Sequence, residues 1–399
     1  MKLLLNAMPF GYGPVSKICT VAKCLSKQGI RCTFCGSGIA YEFMKRENVC
    51  EVIYCDLYKD ESIASFQKLT NEFSYGITCM EPLFVKYASK GISVSYIDSL
   101  IWMWDKEYFN RYPELKLVDH YFVQNTFFQY NNFENFGIKN PEFVGAIIDV
   151  NKNEIGKISN RNGYLVNYGG VENIYINENI NESYPFKMTK LLSENNFMNS
   201  TLTYCCNKDT SNYLAEAFPN EKINSFSHME FIKEMVNTKV LITTPGLTTL
   251  LEAYSLNIPI LFLPPQNYSQ YLILKYLKEE GYPGPIFNYD YFYDDFIIEE
   301  NIIEDKAIEK IKKITNVFFN DIFCTEQLIK GMSNYIQYGN IDELTLFQSK
   351  FIEKIGTNGA MDIVQILIKN SIFRNSLIFQ GLPPIKYQNL MYFPLFLPL

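Results

Sequence analysis

The chain has 399 residues, of which 47% are hydrophobic, so it can build more than one hydrophobic core. Its formal net charge of −7 excludes the basic surface that a nucleic-acid-binding protein needs. No apolar run approaches the roughly 18 residues of a membrane-spanning helix, which predicts that no segment crosses a bilayer.

The cysteines and histidines indicate neither a disulfide framework nor a metal site. The apolar start, Met1 to Ala7, is too short for a secretory signal, so we predict a cytoplasmic protein whose ten cysteines are thiols. Cys32 and Cys35 form a C-x-x-C pair, but a strand would place them on opposite faces. Because the chain has only two histidines, no metal site is predicted.

Strands and helices alternate along the first part of the chain. Residues 2–7 predict a buried strand, residues 8–14 a turn loop, and residues 15–28 a helix with one apolar face. The alternation continues through the segments 31–35, 39–46, 51–55, 75–80, 92–97 and 121–124. This order predicts a parallel sheet with helices on both faces, in a first domain over residues 1–155.

A polar stretch at 151–163 predicts a linker to a second α/β domain over residues 162–355. Its predicted strands are 164–168, 201–205, 240–243 and 259–263, and later helices are predicted at 303–317 and 341–371. The remainder, 356–399, is predicted as a C-terminal helix and an apolar, proline-broken tail. That tail is either a strap along the protein surface or a peripheral membrane contact.

The most informative motif lies in the second domain. A buried run ends at Thr243 and is followed by a Thr-Pro-Gly turn, which opens a helix with hydroxyl side chains in its first turn. A helix N-terminus presents free N–H groups and a positive dipole end to an anion. A second buried strand then ends at two prolines before a cluster of amide and hydroxyl side chains at 266–270. Together these features predict a site for a phosphorylated sugar.

These segments resemble the C-terminal half of nucleotide-sugar glycosyltransferases of the GT-B fold. The nearest pattern is that of the lipid-linked N-acetylglucosaminyltransferase of peptidoglycan synthesis (MurG) and of related UDP-glycosyltransferases. The resemblance covers residues 226–275 well and the N-terminal part in outline. Pro245 and Asn257 depart from the pattern without removing a binding group. The matching residues are Phe231, Met235, Thr244, Gly246, Thr249, Glu252, Pro259, Gln266 and Gln270.

The resemblance implies an α/β fold of two Rossmann-like, doubly wound domains that face a central cleft. The last helix of such proteins returns to the first domain, and residues 357–371 are expected to do so. The co-substrate would be a nucleotide-sugar, UDP-linked by this resemblance, with no further cofactor. Its diphosphate would lie at Gly169, Gly170, Thr244, Gly246, Thr248 and Thr249. Glu252 would bind the ribose, Gln266 and Gln270 the hexose, and the backbone around His228 would flank the base.

The acceptor side of the cleft departs from the family. Many relatives carry a histidine at the start of the first helix, where this chain has the loop Gly11-Tyr12-Gly13, which we expect to border the acceptor. A GT-B enzyme needs no metal, because helix dipoles and N–H groups neutralise the leaving diphosphate. The chain also lacks the Asp-x-Asp triplet of the metal-dependent alternative fold.

The missing histidine leaves the general base for the acceptor open, and we look for it among the carboxylates. Glu81, Asp98 and Asp119 are expected to end strands of the first domain and to face the cleft. Asp98 is the first choice, since Trp102 and Trp104 follow it and could form an acceptor platform that desolvates the carboxylate.

The predicted function is transfer of a sugar from a nucleotide-sugar to a small-molecule acceptor. Two alternatives stay open: a sugar-nucleotide epimerase on the same fold, and a non-catalytic sugar-nucleotide-binding protein. A dinucleotide-dependent dehydrogenase is disfavoured, because Ser16 replaces the third glycine of its fingerprint and no acidic residue follows the second strand. The identity of the acceptor, the stereochemistry and the oligomeric state cannot be read from the sequence.

Overall fold

A computed structural model describes residues 2–126, 133–150, 161–169, 183–195, 197, 202–299, 302 and 304–369. The first domain is built on a parallel sheet of seven strands. These are β1 Lys2–Ala7, β2 Arg31–Gly36, β3 Glu51–Tyr54, β4 Tyr75–Cys79, β5 Ser93–Asp98, β6 His120–Gln124 and β7 Glu142–Val144. The helices between them are α1 Tyr12–Lys27, α2 Gly38–Glu47, α3 Asp60–Thr70, α4 Pro82–Ala88, α5 Lys106–Arg111 and α6 Phe133–Phe136.

Strand order in this sheet is β3-β2-β1-β4-β5-β6-β7, with helices on both faces. The leucines of β1 show that both faces of the sheet are covered. Leu3 and Leu5 pack into one core cluster and Leu4 into another, and all three are fully buried. Parallel strands buried on both faces read as continuous apolar runs. The order reverses between β1 and β4, and ligands bind in the crevice at such a switch point.

Helix α1 begins earlier than the sequence indicates. Residues Tyr12 and Gly13 were expected in a turn loop, but they form the first turn of the helix. Gly11 is the N-cap and has φ 67°, a left-handed conformation that favours glycine. Pro14 is tolerated here because the N–H groups of a first helical turn have no partner within the helix.

The second domain contains a parallel sheet of five strands in the order β10-β9-β8-β11-β12. The strands are β8 Tyr164–Asn167, β9 Leu202–Cys205, β10 Lys222–Asn224, β11 Val240–Thr243 and β12 Ile260–Phe262. Its helices are α7 Tyr184–Glu194, α8 Lys208–Ala217, α9 His228–Asn237, α10 Leu247–Ser255, α11 Tyr268–Glu279 and α12 Tyr289–Phe292. The switch point lies between β8 and β11.

Four helices close the described chain: α13 Glu304–Asn320, α14 Ile322–Tyr338, α15 Ile341–Ile355 and α16 Gly359–Lys369. The sequence indicated a single helix over 341–371, but Gly356, with φ 79°, separates α15 from α16. Helix α15 packs on α10, whereas α16 packs on α1 and completes the first-domain core with four residues. These are Ala360, Ile363, Val364 and Leu367.

The chain returns to the first domain through a close backbone contact. Ala146 donates its N–H to the carbonyl of Gly356 at 2.9 Å, and Gly359 donates to the carbonyl of Ala146 at 3.2 Å. A Cβ on Gly359 would collide with the carbonyl oxygen of Gly145. Most of the predicted linker and the whole apolar tail lie outside the described residues. Within them, no helix is both long and apolar enough to cross a membrane.

Candidate active site

The predicted donor residues converge at the carboxyl ends of β8 and β11, beside the loop that follows β12. The carbonyl oxygen of Tyr168 is the common point: the Thr244 hydroxyl donates to it at 3.4 Å and the Gln266 amide at 3.2 Å. Gly169 follows with φ 73°, and its N–H donates to the side chain of Asn167 at 3.1 Å. Gly170 lies outside the described residues. The switch point thus carries glycine, hydroxyl and amide groups within one hydrogen-bonded cluster.

The two glutamines expected at the donor sugar are linked to each other. Gln270 lies in the first turn of α11, and its Oε1 accepts the backbone N–H of Gln266 at 2.8 Å. The side chain of Asn267 caps the same helix by accepting the N–H of Gln270 at 3.0 Å. These bonds hold both amides at the helix start.

The N-terminus of α10 lies between the domains. Gly246 is its N-cap and supplies no side-chain cap, while Thr248 and Thr249 stand half-buried in the first turn. The Thr248 hydroxyl accepts a hydrogen bond from Lys17 of α1 at 2.6 Å. A Cβ placed on Gly13 would lie 3.4 Å from that hydroxyl. The starts of α1 and α10 therefore approach each other across the cleft.

Glu252, one turn further along α10, is paired with an imidazole. Its Oε1 lies 2.7 Å from Nε2 of His228, and only 2% of the Glu252 residue is exposed. The backbone N–H of His228 donates to Glu47 of the first domain at 3.1 Å. Burial lowers the pKa of His228, but the charge and hydrogen bond of Glu252, together with the charges of Asp149 and Glu47, more than offset this, so the pKa is raised above its usual value of 6.5.

His228 lies in a helix and not in the loop where it was expected. It is the first residue of α9, which Ser227 and Glu230 start with a capping box, rather than part of a preceding loop. The expectation concerned its backbone alone, whereas the structure also engages its ring with the carboxylate of Glu252.

Asp98 ends β5 in a fully buried hydrogen-bond network. Its Oδ2 accepts the hydroxyl of Tyr121 at 2.6 Å and the indole N–H of Trp104 at 3.1 Å. Its Oδ1 accepts the N–H of Leu100 at 2.8 Å. Burial raises the pKa of Asp98 to about 6, against the lowering effect of these donors. The carboxylate is thus desolvated, as the sequence suggested, and is also held firmly in place.

Glu81 follows β4, the strand that pairs with β5. Its Oε1 accepts the N–H of Leu83 at 3.0 Å and caps α4. Burial raises the pKa of Glu81 to about 7, and hydrogen bonds from Leu83 and Tyr58 oppose this shift. Met80 just before it has φ 63°, a strained conformation for a residue with a side chain. The structure therefore places two buried carboxylates at neighbouring strand ends.

The remaining residues of the acceptor side have separate neighbours. Trp104 stacks on Tyr108 with ring centroids 4.2 Å apart, whereas Trp102 meets Tyr276 of the second domain edge-on at 6.5 Å. Tyr12 packs on the first-domain core. Trp104 thus belongs to the Asp98 network, and Trp102 contributes to the contact between the domains.

The expectation that Asp119 faces the cleft is wrong. Asp119 precedes β6 rather than ending it, so it lies exposed at the opposite edge of the sheet. His120, the first residue of β6, pairs there with Glu142. Neither residue can reach the site formed by the strand ends.

Lys17 and Glu47 are cleft residues that the sequence reasoning missed. Lys17 lies on the buried face of α1, one turn before Val21, and only 2% of it is exposed. The sequence does show that Lys17 aligns with the apolar face of a predicted helix, and this alignment could have marked it as a buried lysine. Among the side chains that the structure describes, no group of three or more His, Cys, Asp or Glu could hold a metal ion.

The chain is similar to known proteins in its fold and not in its sequence. No family model matches the chain, and no curated protein sequence matches it either. The spinosyn rhamnosyltransferase SpnG, solved with thymidine diphosphate, aligns at a TM-score of 0.57 and 9% identity, over 92% of this chain and all of its own. MurG of Acinetobacter baumannii aligns at 0.51 and 12% identity, over 92% of this chain and 99% of its own.

A protein from Listeria monocytogenes assigned as a UDP-N-acetylglucosamine 2-epimerase aligns at a TM-score of 0.52 and 11% identity. The alignment covers 94% of this chain and 97% of that one. At these identities the likeness establishes the fold alone. The resemblance seen in the sequence is confirmed at that level: the chain has the GT-B fold, shared with MurG and SpnG.

Proposed function

We propose that the protein transfers a sugar from a nucleotide-sugar donor to a small-molecule acceptor, without a metal ion. The observation that carries this proposal is the cluster of Gly169, Thr244 and Gln266 beside the N-terminus of α10, at the switch point of the second sheet. Thr248, in the first turn of that helix, contacts Lys17 of the first domain. An anion site beside neutral hydrogen-bonding groups suits a sugar linked to a diphosphate.

In the proposed complex the diphosphate accepts hydrogen bonds from the first turn of α10 and from Thr248 and Thr249. Glu252 accepts hydrogen bonds from the ribose hydroxyls through the oxygen that does not face His228. Gln266 and Gln270 bind the hexose. We propose UDP-sugars as donors on the strength of the motif at 226–275, with TDP-sugars as the next class, since SpnG was solved with thymidine diphosphate.

The reaction forms a bond between an acceptor oxygen and C1 of the sugar. The bond between C1 and the β-phosphate oxygen breaks, and its electron pair leaves with the diphosphate. The acceptor proton passes to a carboxylate at the end of β4 or β5, for which we propose Asp98 first and Glu81 second. The raised pKa values of these two buried groups suit proton transfer near neutral pH.

The proposed enzyme works in the cytoplasm and binds no nucleic acid. All ten cysteines are free in the structure, which supports a reducing compartment. Whether the apolar tail meets a membrane is a separate question, and vesicle co-sedimentation of chains with and without residues 382–399 would answer it.

Calorimetry with a panel of UDP-, TDP- and GDP-sugars, with NAD as the control, tests the donor class. We expect a UDP- or TDP-sugar to bind more tightly than NAD, and stronger binding of NAD would contradict the proposal. Mass detection of glycosylated products then identifies the acceptor. Incubation with UDP-N-acetylglucosamine in D₂O without acceptor distinguishes a transferase from the alternative epimerase. An epimerase would introduce deuterium at C2 and a transferase would not.

A further inference from the structure

Lys17 is a buried lysine whose amine has no ion pair among the residues that the structure describes. Its Nζ donates to Thr248 Oγ1 at 2.6 Å and to the Gly13 carbonyl at 3.3 Å, and only 2% of the residue is exposed. Among the described residues no carboxylate lies within 4.0 Å of this ammonium, whereas Lys23 of the same helix pairs with Asp149 at 2.7 Å. A buried charge normally has a partner of opposite charge.

The surroundings of Lys17 are electropositive. Helix α1 starts at Tyr12 and α10 at Leu247, so two helix N-termini meet beside this ammonium. Each N-terminus carries a partial positive charge. Burial lowers the pKa of Lys17, while Cys79 and Glu252 act in the opposite direction. The carboxylate of Glu252 is already engaged by His228.

A buried lysine amine beside two helix N-termini, with no carboxylate within 4.0 Å among the described residues, favours an anion. We propose that Lys17 is a donor-binding residue supplied by the first domain, and that its ammonium binds the diphosphate of the donor at the N-terminus of α10. This inference rests on the proposed function and adds to it a charge that the second domain does not provide. The same contact stabilises the leaving diphosphate when the bond to C1 breaks.

The position of Lys17 also links donor binding to the approach of the domains. Its amine reaches Thr248 from a helix of the other domain, 231 residues away in sequence. A diphosphate seated between them would be held from both sides of the cleft. The first domain would then contact the donor directly whenever a donor is bound.

Calorimetry with UDP and TDP, and with uridine and thymidine as ligands that lack the diphosphate, tests the inference. We expect Lys17→Met to weaken binding of the diphosphates about 10-fold to 100-fold and to leave nucleoside binding unchanged. Lys27→Met, at an exposed position in the last turn of the same helix, is the matched control and should bind like the wild type. Lys17→Arg keeps the charge and should retain most of the affinity.

Thermal unfolding separates ligand binding from a purely structural role. Removing an unpaired buried charge should leave the Tm of the ligand-free Lys17→Met protein equal to or above that of the wild type. A lower Tm with unchanged UDP affinity would mean that Lys17 only ties the domains together. Lys17→Gln serves the same comparison if the methionine variant does not fold.

The two proposals fail differently. If the wild type binds UDP or TDP more tightly than the nucleosides and Lys17→Met does so equally well, the inference is wrong and the proposed function stands. If the wild type binds neither diphosphate more tightly than its nucleoside, the proposed function fails and the role of Lys17 fails with it.

Discussion

The imidazole of His228 and the carboxylate of Glu252 lie 2.7 Å apart at the place where the donor ribose is proposed to bind. His228 opens α9, Glu252 lies on α10, and the backbone of His228 is held by Glu47 from the first domain. One hydrogen-bonded chain thus joins residues of the proposed nucleotide site to both domains. Its charges make the site sensitive to pH.

The first prediction concerns stability and pH. Because the folded pKa of His228 is raised above its usual value of 6.5, its contribution to stability is fully present below that value and is lost as pH rises through the folded pKa. Urea unfolding, measured at pH values from below 6.5 upwards, should show this loss of stability in the wild type and not in His228→Gln. Equal pH dependence in both proteins would contradict the assignment to this pair.

The second prediction concerns donor affinity. Glu252→Ala should weaken binding of the nucleotide-sugar by about 1.5–3 kcal/mol, because a charge-assisted hydrogen bond to the ribose is lost. Calorimetry measures the change, and circular dichroism confirms that the fold is retained. In His228→Gln the carboxylate stays in place, so its affinity should fall less. Unchanged donor binding by Glu252→Ala would show that this helix face has been misassigned.

The third prediction concerns the general base. Asp98→Asn should lower turnover about 10²-fold to 10⁴-fold with nearly unchanged donor affinity, and Glu81→Gln should have a milder effect. Tyr121→Phe removes a hydrogen bond to Asp98 while keeping the carboxylate, and so controls for disruption of the network. A loss confined to Glu81→Gln would reverse the two roles.

The fourth prediction concerns the pH dependence of catalysis, which identifies the general base independently. A base must be deprotonated to act, so kcat/KM should rise with pH through the pKa of that base. The rise should centre near pH 6 if Asp98 is the base and near pH 7 if it is Glu81. A profile that is flat over this interval would exclude both carboxylates.

The fifth prediction concerns the return of the chain to the first domain. Gly359→Ala should destabilise the protein by about 1–3 kcal/mol, because the new methyl group meets the backbone carbonyl of Gly145. Thermal or urea unfolding measures this loss. Gly91→Ala is the matched control, since its added Cβ would lie 3.4 Å from Thr70 Oγ1, and its effect should be smaller.

Much of the architecture could be predicted from local patterns. The run Val240 to Thr243 and the turn after it read as strand, loop and helix, and they are so. Because the carboxyl ends of parallel strands meet at one edge, Gly169, Thr244 and Gln266 come together as their positions in the pattern implied. The spacing of the apolar residues and the turn-forming residues were sufficient to predict these features.

Contacts between distant segments could not be predicted in this way. Lys17 would be a solvated lysine in an isolated helix, and its hydrogen bond to Thr248 of the other domain cannot be read from the local pattern. The division between α15 and α16 depends on one glycine, Gly356, in an otherwise helical pattern. Asp119 was misplaced because the boundary of a short strand decides which edge of the sheet a residue occupies.

Helix α16 has a consequence for how the protein is made. Four of its side chains fill the core beneath α1, so the N-terminal half of the molecule is finished by residues 359–369. During synthesis the first domain stays incomplete, with the part of α1 that α16 covers exposed, while the second domain is produced and folds. The nascent chain therefore exposes that part of α1 until residues 359–369 have been made.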